Sequence, residues 1–164
     1  AALLRVRYPR AYWSLVQKLC SEAGIDPYLV LAVARQESTY RPALTSAAGA
    51  SGVMQLMPAT AEWLAKVDPV IGARHVANLE DPLSSFQLGI RYLLRMLERS
   101  NGNVVYALAS YNAGPGNCDK WRKRFPDAPL EDFIEAIPFS ETRGYVKAVL
   151  GYYAAYYSLY PPAS

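Results

Sequence analysis

Residues 26–34 read Asp-Pro-Tyr-Leu-Val-Leu-Ala-Val-Ala, and no other stretch says as much about how this chain must fold. Asp26 followed by Pro27 is a helix start. The carboxylate caps free amides of the first turn, and proline at the first helical position gives up an N–H that would be unbonded anyway. From Tyr28 to Ala34 no polar residue interrupts the run, so the helix that begins here is expected to be buried on most sides.

The remaining segments are helical too. From Tyr12 the apolar positions Leu15, Val16, Leu19, Cys20 and Ala23 keep a three-four spacing, and Gly24 stops them. Arg41-Pro42 ends the second helix or lies just beyond it. Thr45 to Gly52 (TSAAGASG) is a loop, and Pro58 starts a short helix carrying Trp63 and Leu64. A second loop covers Asp68 to Glu80. Asp81-Pro82 repeats the capping signal and launches Phe86, Ile90, Leu93, Leu94 and Leu97, with Gly102 as terminator. Asn103 to Ala113 is another apolar helix, closed by Gly114-Pro115-Gly116. After a basic segment (Lys120 to Arg124), Leu130, Phe133, Ile134 and Ile137 mark a short helix before Pro138. Ser140 is read as the cap of the last helix, which runs to Tyr160. No alternating strand and no internal repeat stands out. The expectation is one all-α domain of seven or eight helices over residues 1–164, with its core from about 8 to 160.

Composition removes several other classes. Hydrophobic residues make up 52% and charged residues 19%, which is not a disordered chain. No apolar run reaches the roughly 18–20 residues needed to cross a bilayer, and residues 1–13 lack the layout of a signal peptide. The chain is therefore read as soluble, and as mature, cytosolic or cut from something longer. Its net charge of +3, from 17 basic and 14 acidic residues, suits a weakly acidic polymer but not a nucleic-acid groove. Cys20 and Cys118 form no CxxC pair, and their alternatives are one long-range disulfide or two buried thiols. His75 is the only histidine and reads as a solvated loop residue. No metal site and no cofactor is expected.

Among the acidic residues, most have plain roles. Asp26 and Asp81 are caps; Glu22, Glu98, Glu131, Asp132 and Glu135 lie on polar helix faces; Asp68, Asp119 and Asp127 fall in loops. Glu37 differs, because it follows Val33 by four and Leu29 by eight residues and so continues the stripe of the buried helix. Desolvation there disfavours the charged carboxylate and raises its pKa, which is what a general acid requires. The competing reading is a carboxylate that reaches the surface at the end of its helix or pairs with Arg35 or Arg41. Gly49 and Gly52 then let a backbone pass close to a ligand, and Gln55 sits between Met54 and Met57, which pack on an apolar ring face in this reading. Tyr111-Asn112 closes a buried helix. Each of these features alone also fits ordinary core packing or a helix cap.

Four segments together make the chain resemble the catalytic domain of the soluble lytic transglycosylases, with their goose-type, lysozyme-like helical fold and substrate cleft. They are Ala34-Arg35-Gln36-Glu37-Ser38; Gly49-Ala50-Ser51-Gly52-Val53-Met54-Gln55-Leu56-Met57-Pro58; Ser110-Tyr111-Asn112-Ala113-Gly114-Pro115-Gly116; and Ile137-Pro138-Phe139-Ser140-Glu141-Thr142-Arg143-Gly144-Tyr145-Val146. The resemblance runs from about Tyr8 to Tyr160. It implies that Glu37 is the single catalytic acid and base, and that Ser38, Met54, Gln55, Tyr111, Asn112 and Tyr145 bind substrate. Glu141 is implied to support the site from behind. Val53 replaces the usual leucine and Ser110 the usual alanine, while Cys118 has no family counterpart.

The implied activity is cleavage of the β-1,4 bond between N-acetylmuramic acid and N-acetylglucosamine in peptidoglycan, closing a 1,6-anhydro ring without water. Glycosidases ordinarily use two carboxylates about 5–10 Å apart. With Glu37 alone in the position of a reactive acid, the substrate's N-acetyl group is expected to stabilise the cation. A hydrolytic muramidase, a non-catalytic peptidoglycan-binding module and a generic helical scaffold are the alternatives. The implied partners are peptidoglycan glycan strands and other cell-wall enzymes, with no nucleic acid, in the periplasm or cell envelope. Tyr152, Tyr153, Tyr156, Tyr157 and Tyr160 are read mostly as core with hydroxyls reaching polar partners. Lys120, Arg122, Lys123 and Arg124 are read as a solvated face.

Overall fold

The computed structural model describes residues 2–71 and 78–161, and their regular structure is helical. Nine helices occur among the described residues: α1 (Ala2–Arg7), α2 (Trp13–Ala23), α3 (Pro27–Ser38), α4 (Pro58–Val67), α5 (Pro82–Arg99), α6 (Val104–Ala113), α7 (Pro115–Arg124), α8 (Leu130–Ala136) and α9 (Ser140–Leu159). The only β pairings among them are the isolated bridges Thr45 to Ser51 and Ser51 to Leu56. No described helix is long and apolar enough to cross a membrane. The chain divides into two units, residues 1–92 with 152–164, and residues 93–151. His75, expected on a loop surface, lies outside the described residues.

In the first unit α3 follows from its sequence signals. The Asp26 side chain accepts from the Tyr28 amide at 2.8 Å, Pro27 opens the first turn, and Val30 to Ala34 have no exposed surface. Each Val or Leu so buried contributes roughly 1.5–3 kcal/mol relative to exposure. Helix α2 packs on α3 and ends at Gly24, whose φ of +69° gives the left-handed C-cap. Asp81 caps α5 through the Ser84 amide at 2.9 Å.

Tyrosines tie the start of the chain to the end of α9. The hydroxyl of Tyr156 donates to the Pro9 carbonyl and that of Tyr160 to the Tyr8 carbonyl, each at 2.9 Å. Tyr28 donates to the Tyr160 carbonyl at 2.6 Å, and Tyr153 to Asp26 at 2.8 Å. Arg10 lies 4.5 Å over the Tyr160 ring and Arg35 4.5 Å over the Tyr8 ring. The core reading holds fully for Tyr156; Tyr152, Tyr153 and Tyr160 are half-buried and Tyr157 is exposed.

In the second unit α6 packs on α7. Asn103 caps α6 through the Tyr106 amide, and the Tyr106 ring meets Phe133 edge-on at 4.8 Å. Three expectations need correction here and in the first unit. Helices α1 and α7 were not anticipated. Asp119, read as a loop residue, lies within α7 and pairs with Arg99 at 2.5 Å. Asp68 falls just past α4, in the loop expected for it, and is buried there, accepting from the Val70 amide at 3.0 Å and pairing with Arg91 at 2.9 Å. The last helix begins at Ser140 itself, and the Phe139 carbonyl accepts its first helical bond from the Arg143 amide at 2.9 Å, so Phe139 holds the cap position assigned to Ser140.

Candidate active site

Glu37 lies in the final turn of α3 and is half-buried. The backbone just beyond it is held hard. Thr39 and Tyr40 both take left-handed conformations, φ +52° and +62°, an uncommon state for side chains of this bulk. What maintains it is a set of bonds back onto α3. The Thr39 amide donates to the Arg35 carbonyl at 3.0 Å, Arg41 donates through Nε to the Ser38 carbonyl at 2.9 Å, and the Tyr40 hydroxyl reaches the Leu31 carbonyl at 3.0 Å. The Tyr40 and Tyr156 hydroxyls also meet. Burial first, and the neighbouring phenol of Tyr156 next, push the Tyr40 hydroxyl far above the usual phenol range, so it remains a hydrogen-bond donor. Arg35, one of the arginines expected as a partner of Glu37, donates to the Arg7 carbonyl at 2.5 Å and covers the Tyr8 and Tyr152 rings.

Ser38 connects this helix end to the next segment. It is buried, and its hydroxyl donates to the Val53 carbonyl at 2.8 Å. Residues 51–56 form a tight knuckle in which the amides of Ser51 and Leu56 donate to each other's carbonyls at 3.0 and 3.2 Å. Gly52 is the residue that makes the knuckle possible. Its φ is +83°, and a Cβ there would lie 1.9 Å from the Leu79 carbonyl oxygen. Gln55 is half-buried with φ +49°, and its amide nitrogen donates to the Leu44 and Gly52 carbonyls at 2.7 and 2.8 Å. Both N–H groups are thereby engaged, leaving Oε1 as the end that can accept from a ligand. Met54 corrects an expectation: its side chain has no exposed surface and lies against Gly89, so it does not line a cleft. Met57, 41% exposed, is the surface methionine of the segment.

In the second unit Tyr111 and Tyr145 are buried, Asn112 is half-buried at the end of α6, and Glu141 is exposed in the first turn of α9. Asn112 accepts through Oδ1 from the Thr142 hydroxyl at 2.7 Å. Thr142 was missed in the sequence; its place between Glu141 and Arg143 in the fourth motif was the available signal. Cys20 and Cys118 are buried free thiols, and desolvation raises both, Cys20 to about 12. Neither has the lowered pKa of a nucleophile.

The first unit is thus an all-helical frame that fixes one carboxylate at a strained helix end and ties it, through Ser38, to a glycine-dependent knuckle. Residues 14–134 match the family model of the transglycosylase SLT domain, and the chain belongs to that family. Residues 136–160 match the model of the soluble lytic transglycosylase helical domain. The chain is 40% identical over 156 residues to a soluble lytic murein transglycosylase of Escherichia coli K12, covering 93% of this chain and 24% of the relative. A putative soluble lytic murein transglycosylase of Haemophilus influenzae is 36% identical over 152 residues, covering 91% and 25%. The crystal structure of the 70 kDa soluble lytic transglycosylase of Escherichia coli superposes with a TM-score of 0.92 at 38% identity, covering 96% of this chain and 26% of that one. The chain thus spans about a quarter of the length of these relatives.

Proposed function

We propose that residues 1–164 act as one lytic transglycosylase catalytic domain, which cleaves the β-1,4 bond between N-acetylmuramic acid and N-acetylglucosamine in peptidoglycan. Glu37, protonated at the outset, gives its proton to the departing O4 of N-acetylglucosamine as the C1–O4 bond breaks. The N-acetyl oxygen of the muramic residue shields the developing charge at C1, as in substrate-assisted glycosidases. The C6 hydroxyl then bonds to C1 and passes its proton to the Glu37 carboxylate. The acid is restored, a 1,6-anhydro ring closes and no water is consumed.

The observation that carries this reading is the placement of Glu37, half-buried on a helix end fixed by Thr39, Tyr40 and Arg41, in a chain of the SLT family. A carboxyl held on a rigid element keeps its reach to the reacting oxygen. The geometry supports Ser38 as the tether of the knuckle, Gln55 as an acceptor for sugar N–H or O–H groups, and Met57 as the methionine that meets the sugar. Tyr111, Asn112 and Tyr145 are assigned to substrate binding and Glu141 to support of the site. The setting is extracytoplasmic, and other cell-wall enzymes are the proposed partners.

Glu37→Gln removes the transferable proton while keeping shape. It is expected to abolish release of soluble muropeptides from purified cell walls with an unchanged circular dichroism spectrum. Turnover retained by that variant refutes the role of Glu37. Mass spectrometry of the parent's products is expected to show ends lighter by one water than hydrolytic ends; the heavier mass makes the enzyme a muramidase.

A further inference from the structure

The aromatic cluster of the first unit has no part in the mechanism above, and the charges around it are unevenly placed. Tyr28 is its hub. The Tyr28 ring stacks on Trp13 at 5.6 Å and 12°, lies 6.2 Å from Tyr156, and meets Tyr157 edge-on at 5.2 Å. Tyr157 in turn meets Tyr153 at 5.3 Å. Rings this close exchange an electron readily, and indole and phenol are among the side chains that lose one most easily. Arginines cover some of the rings. Arg10 lies 4.7 Å over Trp13 and 4.5 Å over Tyr160, and Arg35 lies 4.5 Å over Tyr8 and 4.9 Å over Tyr152. A cation at that distance opposes removal of an electron from the ring beneath it. Asp26 has the opposite charge and faces different rings: its Oδ2 accepts from the hydroxyls of Tyr153, at 2.8 Å, and of Tyr157. A positive charge left in the cluster is therefore drawn toward these two phenols.

An oxidised phenol is a strong acid, so the place its proton can go decides where the oxidation stays. Tyr28, Tyr156 and Tyr160 donate to the backbone carbonyls of Tyr160, Pro9 and Tyr8. A carbonyl is too weak a base to take the proton, and an electron lost at these rings is replaced from a neighbour. Tyr153 and Tyr157 donate to a carboxylate, which can take it. Of these two, Tyr153 is half-buried and Tyr157 is 39% exposed. We propose that Tyr157 is the site at which one-electron oxidants modify this chain, supplied from Trp13 through Tyr28, and that two chains oxidised there join through a dityrosine bond. In the first step Tyr157 loses one electron to the oxidant, by way of the relay, and its hydroxyl proton to Asp26 Oδ2, leaving a neutral phenoxyl radical. Two such radicals then form a C–C bond between the ring carbons beside their oxygens. The hydrogen on each of those carbons moves to the oxygen, both phenols are restored, and the two protons held by the Asp26 carboxyls pass to water. The proposal does not depend on the reaction at Glu37.

The test uses light-excited tris(bipyridyl)ruthenium with persulfate as the one-electron oxidant of the full chain. Dityrosine fluorescence gives the yield, and peptide mass spectrometry locates the cross-link. The parent is expected to cross-link at Tyr157 and to keep Trp13 intact at the same dose. Tyr157→Phe is expected to lose most of the cross-link. Asp26→Asn leaves a capping side chain and an exposed Tyr157 but removes the base, and it too is expected to lose most of the yield. An unchanged yield in that variant would mean that exposure alone selects Tyr157, and it overturns the proposal. Tyr28→Phe keeps a ring in place that cannot carry the charge. It is expected to lower oxidation at Tyr157 and to raise it several-fold at Trp13, a transfer that a merely packing tyrosine would not produce. Cross-links spread over the other tyrosines of the parent, or a Trp13 indifferent to Tyr28→Phe, also overturn it. If Asp26→Asn does not fold, the map of the parent's cross-links and the two phenylalanine variants decide.

Discussion

Gly52 shows how much one missing methyl can matter. At φ +83° an alanine is strained by about 1–2 kcal/mol before contacts are counted. Its Cβ would also meet the Leu79 carbonyl oxygen at 1.9 Å and Ser85 Oγ at 2.7 Å. Gly49, at φ +92°, has nothing within 4 Å of a Cβ and carries the strain alone. Gly52→Ala is therefore expected to cost at least about 3 kcal/mol, or roughly 6–12 °C in Tm, and Gly49→Ala clearly less. Thermal unfolding followed by circular dichroism checks this; equal losses would mean the close approach carries no weight. Residues of the candidate site were unequally legible in sequence. Glu37 stood out because a carboxylate on an apolar stripe breaks its pattern. Met54 and Met57 have the same chemistry three positions apart, and only the turn of the knuckle decides which is buried. The engagement of Gln55 with two carbonyls depends on its φ of +49°, which no glutamine advertises.

At the scale of elements, Asp26 serves two masters. One oxygen caps α3, and the other accepts from the hydroxyls of Tyr153 and Tyr157 on α9. Asp26→Ala removes the cap and both of these bonds, so a loss of about 2–4 kcal/mol is expected, more than an ordinary cap. Chemical denaturation measures it. A loss no greater than that of Asp81→Ala, whose side chain bonds Ser84 among the described residues, would show that the tyrosine bonds add nothing. Helices with such caps were legible because cap, apolar period and terminator agreed. Helix α7 was not. Its sequence Pro-Gly-Asn-Cys-Asp-Lys-Trp-Arg-Lys-Arg buries only Cys118 and Trp121, three apart, too few to establish a period. Helix α1 has one turn and a half and leaves Leu3 and Val6 largely exposed, so packing left no pattern to find.

At the scale of the whole molecule, several buried thiols and phenols among the described residues bear on pH. Burial raises Cys20 from 9.0 to about 12 and also raises Cys118, Tyr40, Tyr92 and Tyr156. A folded-state value above the unfolded one means the native protein keeps a proton that the unfolded chain releases. That contribution is complete below pH 9.0 for the thiols and 10.0 for the phenols, and is lost as pH climbs toward the folded values. Tm is therefore expected to fall from about pH 9 and more steeply beyond 10. Tyr40→Phe should flatten the steeper part whatever it does to stability at pH 7. A level profile from pH 8 to 11 would contradict the burial of these groups. The tyrosine contacts of the first unit have a mechanical side too. Tyr8 and Pro9 are fastened to Tyr160 and Tyr156 by bonds lying side by side. A pull on residues 8–9 against residues 156–160 loads these bonds together, as in a riveted seam rather than a zip, and the same tension reaches α3 through Arg35, which holds the Arg7 carbonyl and covers the Tyr8 ring.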